Sequence, residues 1–187
     1  MTKLNCAVVI PFYKPGLSPN EMVSLQQCFK VLANHPIIAI KPEGLVLPTD
    51  TDAFKFKDVI SFDNSFFKGI AGYNRLMLSA ELYGAFLNYD YILIHQLDAF
   101  VFSDDLKEWC GKDIDYVGAP WIAPRRTRNK LPFLKASLRY YLYRYVKLKK
   151  TGLSHFNQLE NRVGNGGFSL RRVKKFYNLC TTLAPQT

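Results

Sequence analysis

Asp98 stands near the end of "YILIHQLDAFVF" (Tyr91–Phe102), an apolar run interrupted by Gln96 and by this one carboxylate. A carboxylate placed after a buried strand can ligate a hard cation such as Mg²⁺ or Mn²⁺, or accept hydrogen bonds from a ribose or sugar hydroxyl. Aspartate also ends strands as a plain turn former, because its side chain bonds nearby backbone. A second constellation is "GNGGF" (Gly164–Phe168). Its glycines let the backbone approach a ligand closely, and the Asn165 amide could read hydroxyls. The competing reading is a tight turn ahead of a strand, "FSLR". The spacing is neither GxGxxG nor a phosphate loop with GK[ST]. In "YNRL" (Tyr73–Leu76), Asn74 and Arg75 sit on a segment with an otherwise apolar helical face. Arg75 could pair with a diphosphate, or simply face solvent. His35, His95 and His155 show no metal-ligand spacing, and neither HExxH nor GxSxG occurs. His95 reads as a satisfied strand residue.

These groups need elements to hold them. "CAVVIPF" (Cys6–Phe12), stopped by "YKPG", predicts a buried first strand. "SPNE" (Ser18–Glu21) has the spacing of a capping box with Pro19 at the first helical position, so a helix should run to about Ala33. "PIIAI" (Pro36–Ile40) and "VISF" (Val59–Phe62) predict two more strands around a polar loop, Val46–Asp58. Gly69–Tyr89 has helical spacing, with Ile70, Tyr73, Met77, Leu78, Leu82 and Phe86 on one broad face. After the "YILIHQL" strand, "SDDLKEW" (Ser103–Trp109) predicts a capped short helix, and "DYVGAPW" (Asp115–Trp121) a strand and turn. A last helix is expected near Lys174–Leu183. Strands alternating with helices favour an α/β domain with a largely parallel sheet. Ligands of such sheets sit at the carboxyl ends of strands. Pro11–Tyr13, Lys41–Glu43, Gln96–Asp98 and Gly118–Trp121 all fall at such ends.

The length of 187 residues fits one domain, and 48% hydrophobic content with 21% charged residues excludes a disordered chain. The four cysteines lie far apart in sequence without a CxxC pair, which argues for reduced thiols rather than a zinc site or disulfide framework. The apolar run before Pro11 is too short for a signal segment, and no stretch reaches the ~20 apolar residues of a spanning helix. Cytoplasmic residence is therefore the expectation. The net charge of +10 comes from one place: Arg125–Lys150 holds ten Lys and Arg and no acid, leaving 15 bases and 15 acids elsewhere. Within it, Leu134, Leu138, Tyr141, Tyr145 and Leu148 form a helical stripe, with Lys135, Arg139, Arg144, Lys147 and Lys150 mostly off it. Such a basic amphipathic helix suits an anionic membrane surface. The alternative is a core-packed helix with a solvated basic face. No RNP, KH or helix-turn-helix signature supports nucleic acid.

Taken together, "VVIPFYKPGLSPNEMVSLQQCFKVLANHPI", "FFKGIAGYNRLMLSAELYGAFLNYDYILIHQLDAFVFSDDLKEWC", "DYVGAPW" and "VGNGGFSLR" resemble an uncharacterised bacterial domain family regarded as GT-A-like glycosyltransferases, often found in surface-polysaccharide contexts. The resemblance covers nearly all of the chain except the basic insert at about 125–150. It implies an α/β, GT-A-like (Rossmann-like) nucleotide-sugar fold with a mostly parallel central sheet, as a single domain over residues 1–187 that is short at its C-terminal end. Pro11 and Tyr13 would lie near the nucleotide. "QLDAF" would replace the acidic DxD motif, with Asp98 as its first acid and Phe100 where the second would stand. That departure weakens the case for an ordinary Mn or Mg site on Asp98. "GNGGFSLR" matches the glycine-rich loop that contacts donor and acceptor in similar enzymes, which gives Asn165, Gly166 and Gly167 a donor-binding role. Similar enzymes carry a further Glu-Asp pair, one member of which serves as base. No Asp or Glu follows Leu170 here, and Asp104 and Asp105 are poorly motivated substitutes.

The leading expectation is thus transfer of a sugar from a nucleotide-sugar donor to a polysaccharide or lipid-linked acceptor. Asp98, with or without a metal, and Arg75 would stabilise the leaving diphosphate. The basic helix would hold the chain at the inner face of the membrane. The alternative is a non-catalytic or degenerate nucleotide-sugar-binding module, for which the incomplete acidic motif speaks.

Overall fold

The computed structural model describes residues 4–120, 138, 141–142, 145, 149–150, 153–154 and 163–183. The chain forms two compact units, Met1–Val117 with Gly167–Thr187, and Gly118–Gly166.

The main sheet has six strands. Its strands are β1 (Cys6–Pro11), β2 (Ile37–Pro42), β3 (Asp58–Phe62), β4 (Tyr91–His95), β5 (Tyr116–Pro120) and β8 (Val163–Arg172), in the order β3-β2-β1-β4-β8-β5. Parallel pairing joins β3, β2, β1 and β4, with Val8 opposite Ile37, Cys6 opposite Tyr91 and Ile38 opposite Asp58. β8 runs antiparallel to β4, with Tyr91 opposite Arg172 and His95 opposite Phe168. It therefore enters the sheet at the end where β4 leaves it.

The apolar runs are continuous because both faces of the sheet are covered. Alternate residues of one strand go to opposite cores. Cys6, Val8, Ile10, Tyr91 and Leu93 meet Leu25 and Cys28 of helix α1 (Pro19–Val31), its C-cap Leu32, and Leu106 and Cys110 of α4 (Leu106–Gly111). Ala7, Val9, Ile92 and Ile94 meet α2 (Gly69–Met77), α3 (Ala80–Gly84) and Val173 of α5 (Val173–Thr182). Each large apolar side chain buried in this way contributes about 1.5–3 kcal/mol, which makes these two layers the main support of the strand ends.

Several expectations are corrected by packing. Gly69–Tyr89 is not one helix: α2 stops at Met77, and Ser79 caps α3 by accepting from the Leu82 amide at 3.1 Å. Tyr73, Met77, Leu82 and Phe86 turn toward the core, but Ile70 (76% exposed) and Leu78 (68%) do not, because the break rotates the apolar face. Ser103 does not cap the next helix. Its hydroxyl donates to Asp105, and α4 begins three residues later at Leu106. Gly164–Phe168 is not a turn but the opening of β8.

In the second unit, Leu138, Tyr141, Leu142 and Tyr145 are helical, and β6 (Lys149–Lys150) pairs antiparallel with β7 (Leu153–Ser154). Leu134 and Leu148 of the expected stripe, Trp121 and His155 lie outside the described residues.

Candidate functional site

Asp98 lies in a tight turn directly after β4, where the Ala99 amide donates to the Gln96 carbonyl at 3.0 Å. The turn is held from three sides. From α1, Ser24 donates its hydroxyl to the Ala99 carbonyl, and Gln27 donates its amide to the Val101 carbonyl at 2.9 Å. From below, His95 Nε2 lies 3.3 Å from the same Ala99 oxygen. From β8, the Gly167 carbonyl accepts from the Gln96 amide at 2.7 Å. Asp98 is thus a turn residue whose backbone is pinned and whose carboxylate is exposed, with no hydrogen bond or ion pair to another described residue.

That carboxylate faces a groove of about 520 Å³ between the first turns of α1 and the loop after β4. Such a volume falls within the range of small-molecule sites. Asp98 and Phe100 line one wall, and Lys14, Ser18, Asn20 and Glu21 the other. The α1 wall is prearranged by its capping box: Ser18 Oγ accepts from the Glu21 amide, and Glu21 accepts from the Ser18 amide at 2.7 Å. The same Glu21 oxygen takes the Lys14 ammonium at 2.7 Å. Partial burial works against the Glu21 anion, but the Lys14 and Ser18 hydrogen bonds outweigh it and hold its carboxyl below the usual range. Glu21 is therefore committed, and Asp98 is the free acid of the groove.

The residues predicted as a site are placed unevenly. Pro11 ends β1 in the core, opposite Ile40, and Tyr13 is 60% exposed beside Lys14, whose ammonium lies 5.8 Å from the ring centre. Asn74 and Arg75 are exposed on α2, where Arg75 donates to the Ser65 carbonyl at 3.2 Å, and neither lines the groove. Gly167 abuts the Asp98 turn through Gln96, whereas Asn165 and Gly166 belong to the second unit. Phe100 does line the groove, with its ring edge-on to the exposed Phe102 at 5.0 Å, so an apolar wall stands where a second acid was expected.

Sequence reasoning missed Lys14, Ser24 and Gln27. The signal for the last two was present: Asn20, Ser24 and Gln27 recur at helical spacing as a polar stripe beside Leu25, Cys28 and Leu32. His95 is fully buried, and burial pushes its pKa down to about 4, against the raising effects of the Ala99 carbonyl and Asp98. Its neutral Nε2–H tautomer, the one that can donate to Ala99, leaves Nδ1 without a partner. Nearby, burial pushes the Tyr73 phenol up to about 12, opposed by the neighbouring Gln96 and Arg171 side chains.

Among the described residues no three His, Cys, Asp or Glu side chains converge as a metal cage. Asp98 would be the protein ligand of a divalent cation here, with water and a donor diphosphate supplying the remaining oxygens, as hard cations such as Mg²⁺ are commonly held.

In solved structures the chain is similar to core-mannan synthase A (CmsA/Ktr4) from Aspergillus fumigatus in its Mn/GDP form, at a TM-score of 0.51 and 11% identity over 95% of this chain and 64% of that one. It is also similar to the mannosyltransferase Ktr4p from S. cerevisiae in complex with GDP, with a TM-score of 0.48 and 12% identity over 96% of this chain and 61% of that one. The chain thus spans less than two-thirds of the length of either. The first likeness, with the sheet order above, makes the fold GT-A-like, with a mostly parallel six-stranded sheet. No curated protein matches the sequence. Residues 56–187, well over half of the sequence, match the family described as protein of unknown function (DUF5672), and the chain belongs to that family.

Proposed function

We propose that this chain binds a nucleotide-sugar donor in the groove beside Asp98 and transfers the sugar to a glycan or lipid-linked acceptor of surface-polysaccharide assembly, in the cytoplasm at the inner face of the membrane. The observation that carries this reading is the free Asp98 carboxylate on a pinned turn at the carboxyl end of a parallel strand, facing a groove of ligand size. A lone carboxylate repels a diphosphate, so Asp98 addresses ribose or sugar hydroxyls rather than phosphate. The groove's cation is Lys14, whose hydrogen bond to Glu21 raises its pKa and keeps it charged at neutral pH. Lys14 would offset the leaving diphosphate by exchanging its Glu21 partner for a phosphate oxygen, since the pair is neutral as it stands. Tyr13, exposed beside Lys14, and Gly167, bonded to Gln96 of the Asp98 turn, are proposed as further donor contacts at the groove.

Titration calorimetry of the full chain with UDP, GDP and their sugar conjugates, in EDTA and in Mn²⁺, tests the proposal. Binding in EDTA is expected, with about tenfold weakening in Asp98→Ala and a smaller loss in Asp98→Asn, which keeps an acceptor oxygen. Absence of binding for every nucleotide, with and without Mn²⁺, overturns it.

A second reading, a nucleotide-sugar-binding module without turnover, is favoured by the same groove. It offers one free acid where base and donor contact would otherwise be separate groups. Donor binding with no sugar transfer or hydrolysis selects this reading, and turnover that disappears in Asp98→Ala excludes it.

A further inference from the structure

Leu138, Tyr141, Leu142 and Tyr145 recur at the three- and four-residue spacing of one helical face, and all four are helical. That face is not packed in a core: the side chains are 63%, 56%, 48% and 72% exposed. The Tyr141 and Tyr145 rings stack in parallel with centres 5.8 Å apart, forming a flat aromatic ledge next to two leucines. Tyrosines with an apolar body and polar tip, alongside leucines, are the residue types of a helix lying in a membrane–water interface.

The surrounding sequence specifies what the face meets. Residues 125–150 hold ten Lys and Arg and no Asp or Glu, whereas the rest of the chain is balanced at 15 bases and 15 acids. A charge excess confined to the segment that bears the exposed apolar face calls for a partner both anionic and apolar. An anionic bilayer is both, with headgroups for the bases and acyl chains for the leucines. A nucleic-acid strand offers charge and stackable bases but nothing for exposed leucines to enter. Among the described residues no helix is long and apolar enough to cross a membrane, so this face would lie on the surface.

We infer that the Leu138–Tyr145 face is a docking surface for a lipid bilayer rich in anionic headgroups. It deepens the membrane placement proposed above, and vesicle partition and nucleotide binding are read separately, so failure of one is distinguishable from failure of the other.

Co-sedimentation of the full chain with vesicles of phosphatidylcholine alone, or mixed with phosphatidylglycerol, tests the inference. Partition onto the mixed vesicles should be roughly tenfold or more stronger and should fall with added salt. The double variant Leu138→Glu/Tyr145→Glu should lose at least about tenfold of that binding. Arg139→Glu/Lys147→Glu should weaken binding to the mixed vesicles only, and circular dichroism should show both variants folded. Equal partition onto neutral and mixed vesicles overturns the inference. So does a double variant that binds like the parent chain, or displacement of the parent chain from mixed vesicles by an RNA homopolymer.

Discussion

At the scale of single residues, the carboxylate that presents the groove and the imidazole that props it are three positions apart; His95 was legible as a strand residue, but only Asp98 was legible as a site. Asp98 stands out in an apolar run because no core strand needs a carboxylate. His95 does not, because a histidine in a strand looks the same whether it faces water or is sealed. Its burial makes it a pH-dependent element of the fold. The folded chain binds a proton at His95 only near pH 4, whereas the unfolded chain does so near 6.5. Its contribution is therefore intact above pH 6.5 and is lost as pH falls from 6.5 toward 4. Over that window the stability of the folded state should drop by about 3 kcal/mol from this residue. Chemical denaturation as a function of pH measures it: His95→Leu should flatten the dependence between those limits, while carboxylate losses at lower pH persist. An unchanged slope in the variant would mean that His95 is not sealed as described. The Tyr73 phenol, also buried, stays neutral across the same range and adds no slope of its own.

At the scale of elements, α1 was readable because its start is chemically explicit: Ser18, Pro19 and Glu21 each have one role, and each fills it. The break between α2 and α3 was not, because its cause is tertiary. The Met77 carbonyl, freed where α2 ends, accepts from the Tyr83 hydroxyl at 2.8 Å and from Arg171 at 3.1 Å. Arg171 is a nearly buried strand residue that also reaches the Tyr83 oxygen and Ser169. No local pattern says which arginine of "LRR" turns inward. Gly72 is a related case. On α2 it would normally be improved by alanine, which favours a helix by about 1 kcal/mol over glycine. Here a Cβ would lie 2.5 Å from the Ser65 carbonyl oxygen and 3.0 Å from that of Phe66, both backbone atoms of the short 3-10 helix Asn64–Phe67. Gly72→Ala should therefore destabilise by about 1–3 kcal/mol, read as a lower urea midpoint at unchanged slope. The opposite sign would show that α2 does not ride directly on that turn.

At the scale of the whole molecule, β1, β2 and β4 were legible as unbroken apolar runs because both sheet faces are covered. The parallel order followed from alternation with helices. The reversal of β8 was not legible: residues 121–162 separate it in sequence from the other strands of its sheet, and nothing in "GGFSLRR" states a direction. The reversal matters because it fills the far side of β4, brings Gly167 against Gln96 and closes the strand end that carries Asp98. Sheet order has a measurable consequence in amide hydrogen exchange. β1 lies between β2 and β4, and β4 between β1 and β8, so the amides of Val8–Ile10 and Ile92–Ile94 are paired inside two covered layers. They should exchange only through global unfolding. β3 is an edge strand, and Asp58, Val59 and Ser61 on it are exposed. Its amides should exchange through local fraying, at least roughly a hundredfold faster than those of β4. If β8 instead left β4 as a second edge, Ile92–Ile94 would exchange as fast as β3. The Asp98 turn would then lose the Gly167 bond that holds it, so protection of β4 tests the topology and the site geometry in the same measurement.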